Sequence, residues 1–420
     1  MNNYLPRVVD SELTQRLSIA GAVLLDGPKA CGKTETAAQR AKSIVRLDTD
    51  VNARQQLQLS PELLFEQATP ILFDEWQRAP EVWDHVRRNV DDRREPGLYL
   101  LTGSATPNDS HERHSGAGRI GTLRMRPMSL FESGMSSGEA SLDTIMNGES
   151  QPTRPAALSV SALMEQIVIG GWPSLLGFAE SDARRWLADY LDQIVEVDIP
   201  SLQITRRAPE RLRRTLASLA RGVGQPVKVV DIARDVSGGD LKQPVDATID
   251  AYLGALDRLH LTENSPAWRP HLRSRTRLRE AATRYFVDPS LGPAALGIGS
   301  RELLGDISAA GFHFEGLVVR DLRIYVQAVG GRISSWREAN GRKEIDVIIE
   351  TANGWAAAEV KLTGDQGVID KAASQLINFA EMVDSSRHGK PRALIVITAT
   401  GPGGRRADGV HVVPISTLRP

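Results

Sequence analysis

The chain has 420 residues, too many for one ordinary domain and enough for two or three. Its 51 Lys and Arg are balanced by 52 Asp and Glu, which excludes a globally basic nucleic-acid binder, so any basic surface is local. One cysteine, Cys31, excludes an internal disulfide, and no apolar run approaches the roughly 18 residues a membrane span needs, so the expected setting is cytoplasmic, without a membrane partner.

Residues 7–20 read as a helix leading into the apolar run Ala22–Leu25. Gly27-Pro28-Lys29-Ala30-Cys31-Gly32-Lys33-Thr34 follows, and Glu35–Ala41 continues as a helix. This is G-x-x-x-x-G-K-T, the phosphate-binding loop, in the strand–loop–helix context it requires. Its glycines let backbone N–H groups face an anion. Lys33 is placed to reach the β- and γ-phosphates and Thr34 to hold Mg²⁺, so ATP and Mg²⁺ are the expected cofactors. The bland alternative is a glycine-rich turn. Alkylation of Cys31, inside the loop, is expected to block nucleotide binding.

The strand Ser43–Leu47 ends at Asp48, which either faces the nucleotide or forms a turn. The strand Thr69–Glu75 ends in two carboxylates, 41 positions after Lys33. Asp74 is expected to hold Mg²⁺ and Glu75 to polarise the attacking water; alone, the pair would read as two solvated acids. Residues 80–94 form an amphipathic helix. The strand Gly97–Leu101 ends in Thr102-Gly103-Ser104, where Ser104, or alternatively Thr102, senses the γ-phosphate. Arg119 is either an arginine finger, within the chain or across subunits of a homo-oligomer, or a surface residue.

The order of these motifs resembles the AAA+-like P-loop ATPases of bacteria and archaea that carry a C-terminal domain of uncharacterised role. The matching residues are Gly27–Thr34, Phe73–Pro80, Leu101–Ser104, Gly118–Ile120 and Arg126–Glu132. The resemblance implies a five-stranded sheet with the acidic strand beside the phosphate-loop strand.

Residues 133–157, rich in Ser, Gly, Glu, Asn and Pro, read as a linker or mobile loop. Helices over 159–169 and 181–198 flank Gly170-Gly171-Trp172-Pro173 and suggest a helical lid. Residues 208–265 carry a winged helix-turn-helix pattern, but its second helix holds Asp246, Asp250 and Asp257 against Arg258, which suits protein packing better than a DNA groove. Arg269, Arg273, Arg275, Arg277 and Arg279 make the best local phosphate-binding patch, or a solvated connector, so nucleic acid is a possible partner.

A hairpin follows, Glu344–Glu350 and Trp355–Leu362 about an Asn353-Gly354 turn. Asp346 and Glu359 fall on paired strands, and Lys361 shares the face of Glu359. Two carboxylates beside a lysine can bind Mg²⁺ and position a water for phosphodiester cleavage; the alternative is a salt-bridged, solvated hairpin. This resembles the restriction-endonuclease-like core, which implies Glu315 as an extra acid and Gln375 as a polar partner. The fold class is therefore α/β, with a P-loop ATPase sheet domain (1–132), a linker and helical lid (133–200), a winged helix-turn-helix-like region (201–283) and a C-terminal α/β nuclease-like domain (284–420).

Overall fold

The computed structural model describes residues 4–103, 115–149, 152–155, 157–202, 208–237, 246–269, 282–338 and 343–420. Contacts divide the chain into two compact units: Met1–Pro127 with Leu256–Leu261, and Met128–Ala255 with Thr262–Pro420. Most of residues 133–420 fall in the second of these units.

The first unit is built on β1 (Ala22–Asp26), β2 (Ser43–Arg46), β3 (Ile71–Asp74), β4 (Tyr99–Gly103) and β5 (Ile120–Arg124). All pair in parallel, in the order β2-β3-β4-β1-β5. The helices are α1 (Val9–Leu17), α2 (Lys33–Ala38), α3 (Val51–Leu59), α4 (Glu62–Phe65) and α5 (Val82–Arg93). Period-two alternation along β1 sends Val23 and Leu25 to a cluster with Leu13 and Leu17 of α1. Ala22 and Leu24 face the opposite cluster, where Phe65, Phe73, Trp83 and Tyr99 pack. Each fully buried Leu or Phe contributes about 1.5–3 kcal/mol, before the entropy of ordering it.

The strand order corrects one expectation. The acidic strand β3 is not beside β1; β4, buried along its whole length, is inserted between them. An uninterrupted apolar strand such as Tyr99–Leu101 belongs in the middle of a sheet covered on both faces, and this is where it sits.

From Met128 onward the chain forms β6 (Ala140–Ser141), α6 (Leu142–Met146), α7 (Val160–Ile169), α8 (Glu180–Gln193), α9 (Ile199–Ser201), α10 (Pro209–Arg221), α11 (Val229–Ser237) and α12 (Asp246–Arg258). Next come α13 (Leu291–Leu296), α14 (Ser300–Gly305) and α15 (Ile307–Ala328). The strands β7 (Arg332–Arg337), β8 (Glu344–Thr351), β9 (Gly354–Lys361), β10 (Ala393–Thr398), β11 (Gly404–Arg405) and β12 (His411–Pro414) make one sheet, ordered β11-β12-β10-β9-β8-β7. The β7–β8–β9 run is antiparallel, whereas β9 and β10 are parallel and need a crossover. Helix α16 (Gln366–Met382) supplies it and buries Ile369, Ala372, Leu376 and Phe379 against the sheet.

The described residues between 133 and 149 are not a free linker. Strand β6 pairs with the C-terminal strand β13 (Leu418–Arg419), and α6 buries Leu142, Ile145 and Met146. The Ser136 hydroxyl donates to the Leu418 carbonyl at 2.7 Å, and the Ser137 N–H to the Ser416 carbonyl at 2.8 Å. The polar composition that suggested a loop instead satisfies the backbone of a distant strand.

A buried ionic knot holds the second unit together. Arg320, 2% exposed, donates to Asp288 at 3.0 Å and to Asp321 at 2.8 Å. Asp321 accepts the Leu130 N–H and Asp288 accepts the Gly171 N–H, both at 3.0 Å. A Cβ on Gly171 would lie 2.0 Å from the Met128 carbonyl oxygen, so only glycine fits there. Burial raises the Asp321 carboxyl, although the Arg320 charge opposes the rise. Burial alone would lower Arg320, but the two carboxylates outweigh it and keep it charged.

Helices α10, α11 and α12 occupy the helix-turn-helix segment, with Ile249, Leu253 and Leu256 buried as their spacing predicts. Antiparallel bridges Thr262↔Phe286 and Ser265↔Thr283 follow. Among the described residues no helix is long and apolar enough to cross a membrane.

Candidate functional site

The phosphate loop leaves the C-terminal end of β1. A Cβ on Gly27 would fall 2.1 Å from the Met125 carbonyl oxygen, and Gly32 sits at φ 98°, so both positions need glycine. Pro28, Lys29, Ala30 and Cys31 span the turn between them. Lys33 is 6% exposed, and its ammonium donates to the Gly27 carbonyl at 2.9 Å and the Pro28 carbonyl at 2.7 Å. The ammonium therefore braces the loop from within.

Asp74 meets the loop across the inserted strand. The Thr34 hydroxyl donates to Asp74 Oδ1 at 2.8 Å, and the Thr102 hydroxyl of β4 donates to the same oxygen at 2.6 Å. A hydroxyl and a carboxylate converging in this way are hard oxygen donors of the kind Mg²⁺ takes. Glu75 follows in the left-handed region, φ 53° and ψ 44°, and its carboxylate accepts a close hydrogen bond from the Gln77 amide. Ser104 lies outside the described residues.

The geometry bears on Arg119 and Cys31. Arg119 precedes β5 at the edge where Ile120 pairs with Ala22, whereas the loop departs after Asp26 at the other edge. Its guanidinium pairs with Asp91 at 2.6 Å, so within this chain it is not a finger on the phosphate site. Cys31 is wholly buried in the cluster with Leu25 and Met125, so its thiol is shielded from alkylation in the folded protein. Asp48 is exposed in the turn after the edge strand β2, which fits the turn reading.

The C-terminal constellation is assembled by hairpin register. The two-residue turn is Ala352–Asn353, one residue earlier than predicted, with Thr351 paired to Gly354. The ladder's final in-register pair, Val347↔Ala358, places Asp346 opposite Glu359 one step further along. Lys361 Nζ lies 2.6 Å from Glu359 and 3.6 Å from Asp346. Asp346 also accepts the Val360 N–H at 2.8 Å. Gln375 of α16 donates to Glu359 at 3.1 Å, and Glu315 of α15 accepts a close hydrogen bond from the Tyr285 hydroxyl. A cavity of about 440 Å³ is lined by Tyr285, Glu315, Trp336, Arg337, Glu344 and Asp346.

Burial, then the charge of Asp346, pushes the Glu359 carboxyl up to about 8 and the Glu315 carboxyl well above its usual range. Burial would lower Lys361, but Asp346 and Glu359 outweigh it and raise it. Among the described residues no group of three or more His, Cys, Asp or Glu side chains is arranged to hold a metal ion. A cation here would rest on Asp346 and Glu359, with water and substrate oxygens completing its shell.

Residues 20–133 match the family described as AAA domain. They form a P-loop ATPase domain. ATP binding and hydrolysis follow from that assignment. Residues 160–302 and 310–418 match two further families, each described as a domain of unknown function. Uncharacterised proteins of Mycobacterium bovis and Mycobacterium tuberculosis are each 24% identical over 374 residues, covering 88% of this chain and 76% of theirs. Among solved structures, a Walker-type ATPase of Pyrococcus abyssi superposes with a TM-score of 0.43 at 12% identity, covering 70% of this chain and 96% of that one. Drosophila ORC bound to DNA superposes with a TM-score of 0.20 at 12% identity, covering 69% and 85%.

The ATPase unit holds functional groups that its motifs do not reveal. Arg7, buried, donates to the Cys31 carbonyl at 2.9 Å and the Arg126 carbonyl at 2.8 Å, joining the loop to the chain after β5. Asp26, immediately before Gly27, accepts from His260 Nε2 at 2.6 Å and pairs with Arg124 at 3.4 Å. Burial alone would raise the Asp26 carboxyl, but His260, Arg124 and Lys33 outweigh it and hold it below its usual value. The apolar run before Gly27 masks Asp26 as a strand end, and His260 is 234 positions away.

Proposed function

We propose that ATP binding and hydrolysis at the P-loop domain govern a C-terminal site that cleaves phosphodiester bonds in nucleic acid. The observation that carries the second half is the meeting of Asp346, Glu359 and Lys361 on adjacent strands, with the lysine within 3.6 Å of both carboxylates.

At the ATPase site, Lys33 would neutralise the β- and γ-phosphates, and Thr34 with Asp74 would hold Mg²⁺, which would supply positive charge there. Glu75 takes the proton of the water that attacks the γ-phosphorus, and ADP leaves. Thr102 fixes Asp74, and Ser104 is assigned the γ-phosphate contact. Arg119 acts on the reaction only across a boundary between copies of the chain. At the second site, Asp346 and Glu359 would hold a Mg²⁺, which when bound would supply Lewis acidity. Lys361 orients the attacking water and Gln375 holds Glu359. Arg269 is half-buried, and Arg273, Arg275, Arg277 and Arg279 lie outside the described residues; together they supply the phosphate-binding stretch.

A second reading draws on the same lysine. An ammonium paired with both carboxylates also describes a catalytically inert domain that binds a protein or nucleic-acid partner in an ATP-driven switch. Labelled single- and double-stranded DNA and RNA, incubated with Mg²⁺ or Mn²⁺, separate the two. Wild type is expected to cut at least one substrate, and Asp346→Ala/Lys361→Ala to lose on the order of 10²-fold or more of that rate. No cleavage of any substrate, with ATP hydrolysis intact, would favour the switch.

A further inference from the structure

Residues Leu256–Leu261 belong to the ATPase unit although the sequence on both sides belongs to the other unit. Leu256, Leu259 and Leu261 are buried, and the segment folds back on itself through the Leu261 N–H to the Leu256 carbonyl, 2.9 Å. His260 holds φ 59°, a left-handed conformation that is strained for a non-glycine residue. That strain aims a 7% exposed imidazole at the root of the phosphate loop.

The partners settle its tautomer. Arg124 N–H donates, so the Nδ1 it contacts is the acceptor, and the Nε2 that meets Asp26 at 2.6 Å carries the proton. Asp26 is covalently next to Gly27, and Arg124 ends the strand paired with β1 at the same edge. A carboxylate at this place repels a polyphosphate unless it is neutralised. Arg124 supplies the neutralising charge, and His260 seats the carboxylate through the Nε2–H it donates.

We propose that His260 is a positioning residue of the ATPase: by seating and screening Asp26 it keeps the loop competent for polyphosphate, and it ties nucleotide occupancy to the Leu256–Leu261 segment. The inference rests on the ATPase assignment. Because coupling is reciprocal, whatever His260 does for nucleotide affinity, nucleotide does for the hold on that segment.

The test is a double-mutant cycle in the full chain, read by the Kd of a fluorescent ATP analogue and by kcat separately. His260→Asn tolerates the left-handed backbone but withdraws the Nε2 donor, and His260→Gln restores a donor near that place. His260→Asn is expected to weaken nucleotide binding about tenfold, with His260→Gln recovering most of it. In an Asp26→Asn background, which removes the charge, His260→Asn is expected to change Kd less than twofold. Nucleotide is also expected to alter amide exchange of residues 256–261 in wild type and not in His260→Asn. Wild-type Kd in His260→Asn, or the same loss with and without Asp26, would overturn the proposal. Wild type that binds no nucleotide would overturn the ATPase assignment with it.

Discussion

Lys33→Ala is expected to lower ATP hydrolysis by on the order of 10²–10³-fold and to weaken nucleotide binding. The ammonium is the only lysine charge buried in the loop's concavity among the described residues, and its two acceptors are loop carbonyls. Phosphate oxygens replace those carbonyls as acceptors in a low-dielectric setting, where the charge is worth far more than in water. Steady-state hydrolysis and equilibrium binding check it, with circular dichroism confirming the fold. Hydrolysis at the wild-type rate would remove Lys33 from the mechanism.

The second large effect is on stability. Arg320→Leu leaves Asp288 and Asp321, each 0% exposed, without their cation. Removing one partner of a buried ionic group costs about 3–5 kcal/mol, because the remaining charge is stranded in low dielectric. Asp288 keeps its bonds from Gly171 and Ser290, and Asp321 keeps Leu130, so part of the charge stays solvated by the backbone. Denaturant unfolding is expected to show the loss in the transition of the Met128–Ala255 and Thr262–Pro420 unit. Arg320→Leu/Asp288→Asn/Asp321→Asn is expected to recover part of it. A loss under about 1 kcal/mol for Arg320→Leu would mean the knot is dispensable.

What could be read from the sequence was what short-range geometry dictates. Gly27 and Gly32 are demanded by the turn itself, Asp74 by the end of an apolar strand, and the Asp346–Glu359 pairing by the register of a two-residue hairpin. What escaped depends on contacts between distant residues. No local pattern places β4 between β1 and β3, so the hydrogen bond from Thr102 to Asp74 was not legible, and Thr102 was visible only as the alternative γ-phosphate sensor to Ser104. The sequence left Arg119 open between finger and surface residue because a loop before a strand and a loop after one lie at opposite sheet edges, and a motif does not record which edge it occupies. The serine-rich stretch around Ser136 took its order from the C-terminal strand, and Asp26 found its partner beyond α11 and α12.

The central claim is that nucleotide state governs the C-terminal site. The direct measurement is the rate of metal-dependent cleavage of one labelled nucleic-acid substrate with ATP, with ADP and with neither, in wild type and Lys33→Ala. The account predicts a rate that differs at least several-fold between ATP and ADP in wild type, and that does not respond to nucleotide in Lys33→Ala. Equal rates in all three conditions, from a protein that hydrolyses ATP, would contradict it.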